Sequence, residues 1–215
     1  MSLNGLSSAP RRALIVIDVQ NEYVSGDLPI EYPPVQTALH NIGAAMDAAR
    51  AAGVPVIIVQ QDAPTDSPLF AHGSPGWQLH EAVASRPRDH LILKRLPSAY
   101  TGTDLQDWLA ARGIDTLAVA GFMTHNCDAS TIVHALHQGL KVEFLADASG
   151  SVPYENAAGR ASAEEIHRVF SVVFQSRFAA VQTTADWIAA LQAGQATLGD
   201  NIHASNQRAR RSQGA

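Results

Sequence analysis

The run Ala13-Leu14-Ile15-Val16-Ile17-Asp18 decides the fold class, because it is apolar along its length and ends on a carboxylate. A second run of the same kind, Val56-Ile57-Ile58-Val59, occurs further along the chain. Strands that are buried on both faces read as continuous apolar runs, whereas strands with one solvated face alternate. The two runs therefore predict parallel strands in a sheet that is covered by helices on both faces.

Apolar β-type runs alternate with segments of helical periodicity along the whole chain. The predicted strands are residues 13–18, 54–60, 90–94, 114–120, 141–145 and 179–182. The predicted helices are residues 34–52, 103–112, 126–138, 162–174 and 184–193. This order predicts an α/β fold, a three-layer αβα sandwich around a six-stranded parallel, Rossmann-like sheet.

The length and composition are those of one globular domain. The chain has 215 residues, of which 46% are apolar and 16% are charged. We expect a single domain over residues 1–215, with its core at about 12–191 and a C-terminal extension at 199–215. One connection, residues 61–89, is long and contains several prolines and glycines, which favours a functional loop.

Charge, cysteine content and hydropathy bear on which partners and which compartment are expected. The net charge of −5 argues mildly against nucleic-acid binding, although Arg208-Ala209-Arg210-Arg211 is locally basic. The single cysteine, Cys127, excludes an internal disulfide framework. The sequence shows no secretory signal and no apolar stretch long enough to span a bilayer. The prediction is a cytoplasmic enzyme without nucleic-acid or membrane partners.

Three reactive side chains stand at the carboxyl ends of predicted strands. Asp18 ends the first strand, Lys94 ends the third, and Cys127 follows the fourth within Gly121-Phe122-Met123-Thr124-His125-Asn126-Cys127. Because strand ends meet at one edge of a doubly wound sheet, we expect these groups to converge where substrates bind. A buried charge is costly unless it is paired, which favours an Asp18–Lys94 ion pair beside the thiol. A purely structural ion pair and an inert core thiol are the competing interpretations.

The position of Cys127 bears on its reactivity. A thiol in the first turn of a helix lies near unpaired N–H groups and the positive end of the helix dipole, so we expect its pKa to fall by about one unit or more. Asp128 follows it and is expected to oppose thiolate formation only modestly, because its side chain projects from another side of the helix.

Four segments resemble the isochorismatase-like cysteine hydrolases, and the resemblance covers roughly residues 12–191. The segments are Asp18-Val19-Gln20-Asn21-Glu22-Tyr23, Lys94-Arg95-Leu96-Pro97-Ser98-Ala99-Tyr100, the turn from Gly121 to Cys127, and Leu145-Ala146-Asp147-Ala148. The resemblance implies that Asp18, Lys94 and Cys127 form a catalytic triad. It also implies a non-proline cis peptide bond between Phe122 and Met123.

The chemistry implied by this resemblance is hydrolysis of an amide, ureido or related C–N bond of a small molecule through a thioester. Asp18 acts as the general base, and the backbone N–H groups of Met123 and Cys127 hold the oxyanion. No cofactor is expected. The cysteine favours this amidase-like branch over vinyl-ether hydrolysis of the isochorismatase type, which needs an acid rather than a nucleophile. Two further hypotheses are a non-catalytic member of the fold and a redox sensor that uses Cys127.

Further residues bear on whether a metal binds and on which side chains contact the substrate. Metal-dependent relatives carry an Asp-x-His motif after the second strand, whereas this chain has Asp62-Ala63-Pro64, so no metal is expected. Tyr23, Trp77, Tyr100 and Phe122 are the candidate substrate-binding residues, because aromatic side chains commonly line small-molecule pockets.

The predicted helices at residues 126–138 and 162–174 carry apolar residues on more than one face, among them Val169, Val172 and Val173. One such face is expected to meet another subunit, and the resemblance also implies a homodimer or homotetramer. The extension from Gly199 onward is expected to pack across that interface.

Overall fold

The computed structural model describes residues 9–212, and its central feature is a sheet of six parallel strands. These strands are β1 Arg12–Ile17, β2 Val56–Gln61, β3 His90–Lys94, β4 Thr116–Phe122, β5 Lys141–Gly150 and β8 Ala180–Gln182. They lie in the spatial order β3-β2-β1-β4-β5-β8, which is the Rossmann order. The predicted six-stranded parallel sheet is confirmed. Two further strands, β6 Tyr154–Asn156 and β7 Gly159–Ala161, form a separate antiparallel hairpin.

Helices connect the strands and cover both faces of the sheet. They are α1 Val35–Ala51, α2 Glu81–Ala84, α3 Leu105–Ala111, α4 Ala129–His137, α5 Ala163–Val173, α6 Thr184–Gln192 and α7 Ile202–Ser212. One π-helical turn, Thr124–Asp128, precedes α4. A second, Phe174–Phe178, follows α5. None of the helices within residues 9–212 is both long enough and apolar enough to cross a bilayer.

The side chains of β1 alternate between two apolar cores, one on each face of the sheet. Leu14 and Val16 pack in one core with residues of α1 and α6. Ala13, Ile15 and Ile17 pack in the other with residues of α3 and α4. Every residue of β1 is buried, and a fully buried leucine or isoleucine contributes about 1.5–3 kcal/mol. The three-layer αβα sandwich follows from this double burial.

The strand order reverses between β1 and β4, and a glycine permits their close approach. β1 pairs with β2 on one side and with β4 on the other. Gly121 has φ 117°, and a Cβ atom at this position would lie 2.1 Å from the carbonyl oxygen of Ile17. Only glycine fits here, so the end of β4 lies directly beside the end of β1. Open α/β sheets bind their ligands at such a switch point.

The differences from the predicted elements lie at strand ends and in polar segments. β5 continues to Gly150 rather than stopping at residue 145, and the helix predicted from residue 126 begins as the π-helical turn Thr124–Asp128. The β6–β7 hairpin is absent from the predictions, because its two strands have three residues each and are mostly exposed. Strands without an apolar face carry no periodic signal.

The C-terminal extension contains α7, which the predictions also lack. None of its residues is buried. Its Arg208 pairs with Asp200, and the N–H of Asp200 donates to the carbonyl of Gln175. These contacts tie the start of the extension to the turn after α5.

Candidate active site

The structure brings the three predicted reactive residues into one buried cluster. Lys94 Nζ lies 2.6 Å from Asp18 Oδ2 and 3.3 Å from Cys127 Sγ. Asp18 directly follows β1, Lys94 ends β3, and Cys127 lies in the π-helical turn after β4. None of the three is more than 4% exposed. The ammonium group thus bridges a carboxylate and a thiol at the switch point of the sheet.

Asp18 adopts a backbone conformation that few non-glycine residues accept. Its φ is 51°, in the left-handed region, while its N–H still donates to the carbonyl of Val59 at 2.9 Å. Such a conformation costs about 1–3 kcal/mol and persists only where the surrounding structure imposes it. The turn away from the β1 direction directs the Asp18 side chain to Lys94.

Gln61 is a functional candidate that is absent from the predictions. Lys94 Nζ donates to its Oε1 at 2.7 Å, so Asp18, Cys127 and Gln61 together surround the ammonium. The side chain of Gln20 in turn bonds both backbone groups of Gln61, at 3.0 Å and 2.9 Å. Gln61 ends β2, so the strand-end argument that selects Asp18 and Lys94 also points to it.

Burial dominates the acid–base properties of the cluster. It raises the pKa of Asp18 more than the neighbouring Lys94 lowers it. Burial by itself lowers the pKa of Lys94, but the charges of Asp18 and Cys127 outweigh it, so the net shift is upward. Asp18 is therefore a stronger base than a free carboxylate, and Lys94 stays protonated.

The prediction that a helix N-terminus lowers the pKa of Cys127 is wrong. Burial raises the pKa of this thiol, the negative charge of Asp18 raises it further, and Lys94 opposes both effects only in part. Because the sulfur is almost completely buried, desolvation of a thiolate outweighs the dipole of the turn. The resting residue is a thiol, and its proton must be removed during the reaction.

Asp128 also differs from its expected role. It is fully buried, and neither carboxyl oxygen receives a well-oriented hydrogen bond from the described residues. Burial and the charge of Asp18 raise the pKa of Asp128 to about 8, although a contact with Ser149 lowers it. Asp128 is therefore mostly neutral at pH 7, and it does not oppose a thiolate at Cys127 as a charge.

A cavity of about 420 Å³ opens above Cys127. It is lined by Tyr23, Leu28, Gln61, Leu69, Phe70, Arg95, Pro97, Met123, Asn126, Cys127 and Tyr154. Its volume falls within the range of small-molecule pockets. Of the four predicted substrate-binding aromatics, the structure places Tyr23 in this lining. Phe70 and Tyr154 are the other aromatic walls.

The other three predicted aromatics do not line this cavity. The Nε1–H of Trp77 donates to Asp62 at 3.0 Å, so its indole holds the long loop together. Tyr100 stacks on His134 with ring centroids 4.6 Å apart, and Phe122 is fully buried with its ring 5.7 Å from that of Tyr23. These rings are occupied by packing and hydrogen bonding within the fold.

Comparison with known proteins identifies the family to which this fold belongs. The Isochorismatase domain model matches residues 12–186. The chain belongs to the isochorismatase family. One similar solved structure is the crystal structure of a candidate isochorismatase from Burkholderia xenovorans LB400. Its sequence is 70% identical to this one, and the match covers 96% of this chain and 100% of that chain, with a TM-score of 0.95.

Two curated relatives extend the comparison to named hydrolases. Streptothricin hydrolase from Streptomyces noursei is 33% identical over 150 residues, which span 70% of this chain and 58% of the relative. Ureidoacrylate amidohydrolase from Methylobacterium radiotolerans is 27% identical over 219 residues, which span 86% of this chain and 79% of the relative. The protein is therefore a hydrolase of the isochorismatase family.

The turn that carries Cys127 begins with an open backbone donor at Met123. The Phe122–Met123 peptide bond of this isochorismatase-family chain is cis, as the resemblance implies. The carbonyl of Met123 accepts from the N–H groups of Asn126 and Asp128, at 3.0 Å and 3.1 Å. Within residues 9–212, the N–H of Met123 donates to no protein acceptor. An N–H group without a partner beside the cavity is available to an oxygen atom of a ligand.

Asp62, which directly follows β2, is contacted by side chains of the long loop and by Arg95. Asp62 Oδ1 lies 2.7 Å from His72 Nδ1 and 3.0 Å from Trp77 Nε1, and its Oδ2 lies 3.7 Å from Arg95. Pro64 stands two residues after Asp62 and offers no side-chain ligand. No set of three or more His, Cys, Asp or Glu side chains in the described part of the chain is arranged to hold a metal ion. The residues around Asp62 do not fit a metal site.

Proposed function

We propose that this isochorismatase-family hydrolase cleaves an amide, ureido or related C–N bond of a small molecule through a thioester on Cys127. The observation that carries the proposal is the placement of Lys94 Nζ, 2.6 Å from a carboxylate and 3.3 Å from the only sulfhydryl of the chain. The cluster lies at the floor of a cavity of small-molecule size. An acid–base group, a cation and a nucleophile therefore act on one bound molecule.

In the acylation step, Asp18 removes the proton of the Cys127 thiol and the sulfur attacks the carbonyl carbon. The raised pKa of Asp18 suits this role, because a stronger base takes a larger share of the proton. The C–N bond then breaks, and Asp18 returns the proton to the leaving nitrogen. Lys94 remains an ammonium throughout and offsets the negative charge that moves between carboxylate and sulfur.

In the second step, water hydrolyses the thioester. Asp18 accepts a proton from the attacking water, the C–S bond breaks, and the acid product leaves as the proton returns to Cys127. The Met123 N–H, which has no protein acceptor in the described chain, and the Cys127 N–H would hold the oxyanion in both steps. Each such donor is worth about 3 kcal/mol of barrier.

The relatives support the choice of a C–N bond, since one of them is named an amidohydrolase. Vinyl-ether hydrolysis is the second candidate, because the raised pKa of Asp18 also suits an acid that protonates a substrate. A redox-sensing role is less well supported, since Cys127 is only 4% exposed and the chain has no second cysteine.

A panel of small amides, ureido acids and aryl amides, screened by ammonia or amine release, tests the proposal. On the best amide found, Cys127→Ala and Asp18→Asn should each lower turnover by at least about 100-fold. The alanine variant leaves only a small cavity, so its folding should be preserved and is checked by circular dichroism. Cleavage of a vinyl ether that survives in Cys127→Ala but not in Asp18→Asn would support the second candidate instead.

A further inference from the structure

The cavity above Cys127 contains one charged side chain that the proposed chemistry does not use. Arg95 follows the triad lysine in sequence and lines the cavity, while its side chain is 78% exposed at the rim. Every other lining residue is apolar or carries no net charge as a resting side chain. Lys94 and Asp18 lie beneath the lining and pair with each other. The charge offered to a bound molecule is therefore that of Arg95.

The guanidinium of Arg95 makes no hydrogen bond to another described residue of the protein. Its nearest acidic partner, Asp62 Oδ2, is 3.7 Å away, which is longer than a hydrogen bond. The other oxygen of Asp62 already contacts His72 and Trp77. Among residues 9–212, no side chain or carbonyl accepts a hydrogen bond from Arg95. Its planar set of donors is thus open toward the cavity and solvent, in the geometry that matches a carboxylate.

The dimensions of the cavity limit the length of a molecule that can contact both Cys127 and Arg95. A cavity of this volume is about 9 Å across if it is treated as a sphere, which is the length of a small ureido acid. One guanidinium matches one singly charged group. Tyr23 and Phe70 are among the walls of this cavity, so a short carbon chain can pack against them.

We propose that the substrate carries a carboxylate that Arg95 binds while the scissile carbonyl lies at Cys127. The substrate class is then an N-acyl or N-carbamoyl acid with a short spacer rather than a neutral amide. This inference rests on the proposed function for the identity of the reacting bond. Arg95 itself touches only the distant end of the substrate, so it determines specificity and takes no part in bond cleavage.

The test measures alkylation of Cys127, so it does not depend on turnover. N-Ethylmaleimide and maleimidopropionate carry the same electrophile, but only the second has a distal carboxylate. The thiol adds across the maleimide double bond in both cases, and its proton passes to carbon. We expect Arg95→Gln to lower the rate ratio of maleimidopropionate to N-ethylmaleimide by about tenfold, as loss of a charge-assisted contact should. The ratio in the wild type should also fall as salt is raised.

Arg160→Gln is the matched control, because Arg160 lines the neighbouring cavity beyond Tyr154 rather than the one above Cys127. It should leave the ratio unchanged. An unchanged ratio in Arg95→Gln, an equal fall in Arg160→Gln, or no labelling of Cys127 by either reagent would overturn the proposal. If the ratio behaves as expected while Cys127→Ala still hydrolyses amides, the proposed function fails and the anion site stands.

Discussion

Replacement of Asp128 by asparagine should stabilise the protein, and the gain should grow with pH. Asp128 is fully buried, and its pKa of about 8 lies well above its ordinary value of 3.8. Between these two values the folded state binds more protons at this residue than the unfolded state does. Stability therefore falls as pH rises across that interval and levels off above about pH 8.

The size of the effect follows from the shift. One pKa unit corresponds to about 1.4 kcal/mol, so at pH 7 the burial of Asp128 costs on the order of 4 kcal/mol. Asparagine has nearly the same shape and is neutral at every pH. The difference in unfolding free energy between Asp128→Asn and the wild type should therefore increase by about 1.6 kcal/mol from pH 6.5 to pH 8.

Urea unfolding at several pH values in this interval measures the difference directly. His125 and His167 have pKa values lowered to about 4 by burial, and the pH dependence of stability that they cause is common to both proteins, so it cancels in the difference. Asp66→Asn, on the exposed loop, is the control and should show no such trend. A difference for Asp128→Asn that stays flat from pH 6.5 to 8 would refute the reasoning.

Three further predictions concern the site and the assembly. Gln61→Leu removes an acceptor 2.7 Å from the buried Lys94 ammonium, so amide turnover should fall about tenfold in steady-state assays and the free energy of unfolding should fall by about 1–3 kcal/mol; equal turnover would contradict the role of Gln61. EDTA should leave turnover unchanged because Asp62 is held by His72 and Trp77; loss of activity that zinc restores would contradict this. Light scattering at micromolar concentration should show a homodimer or homotetramer, since Val169, Val172 and Val173 are 43–59% exposed, and a monomer would oppose it.

Strand positions and the triad cluster could be predicted because both depend on strong, local signals. Apolar runs such as Val56–Val59 locate buried strands, and the residue after each run must lie at one edge of the sheet. The same rule selects Gln61, but an uncharged amide at a strand end does not stand out from ordinary polar residues. The rule identifies where a side chain begins and not which way it points.

The differences between the predictions and the structure have specific physical causes. Trp77 and Tyr100 are near the site in sequence, yet their rings pack on His72 and His134, which depends on loop conformation that no periodicity encodes. The predicted pKa of Cys127 considered the dipole of the turn and omitted desolvation, which only the packed structure reveals. The β6–β7 hairpin supplies Tyr154 to the cavity although its strands are too short and polar to be recognised.

The most direct test of the account is the mass of the enzyme during turnover. Rapid acid quench of the enzyme with its best amide substrate, followed by intact-mass and peptide analysis, should reveal the acyl fragment in place of the thiol hydrogen on Cys127. The adduct should be absent from Cys127→Ala, and hydroxylamine should remove it. Undiminished amide turnover by Cys127→Ala, with no acylated Cys127 in the wild type, would contradict the thioester mechanism.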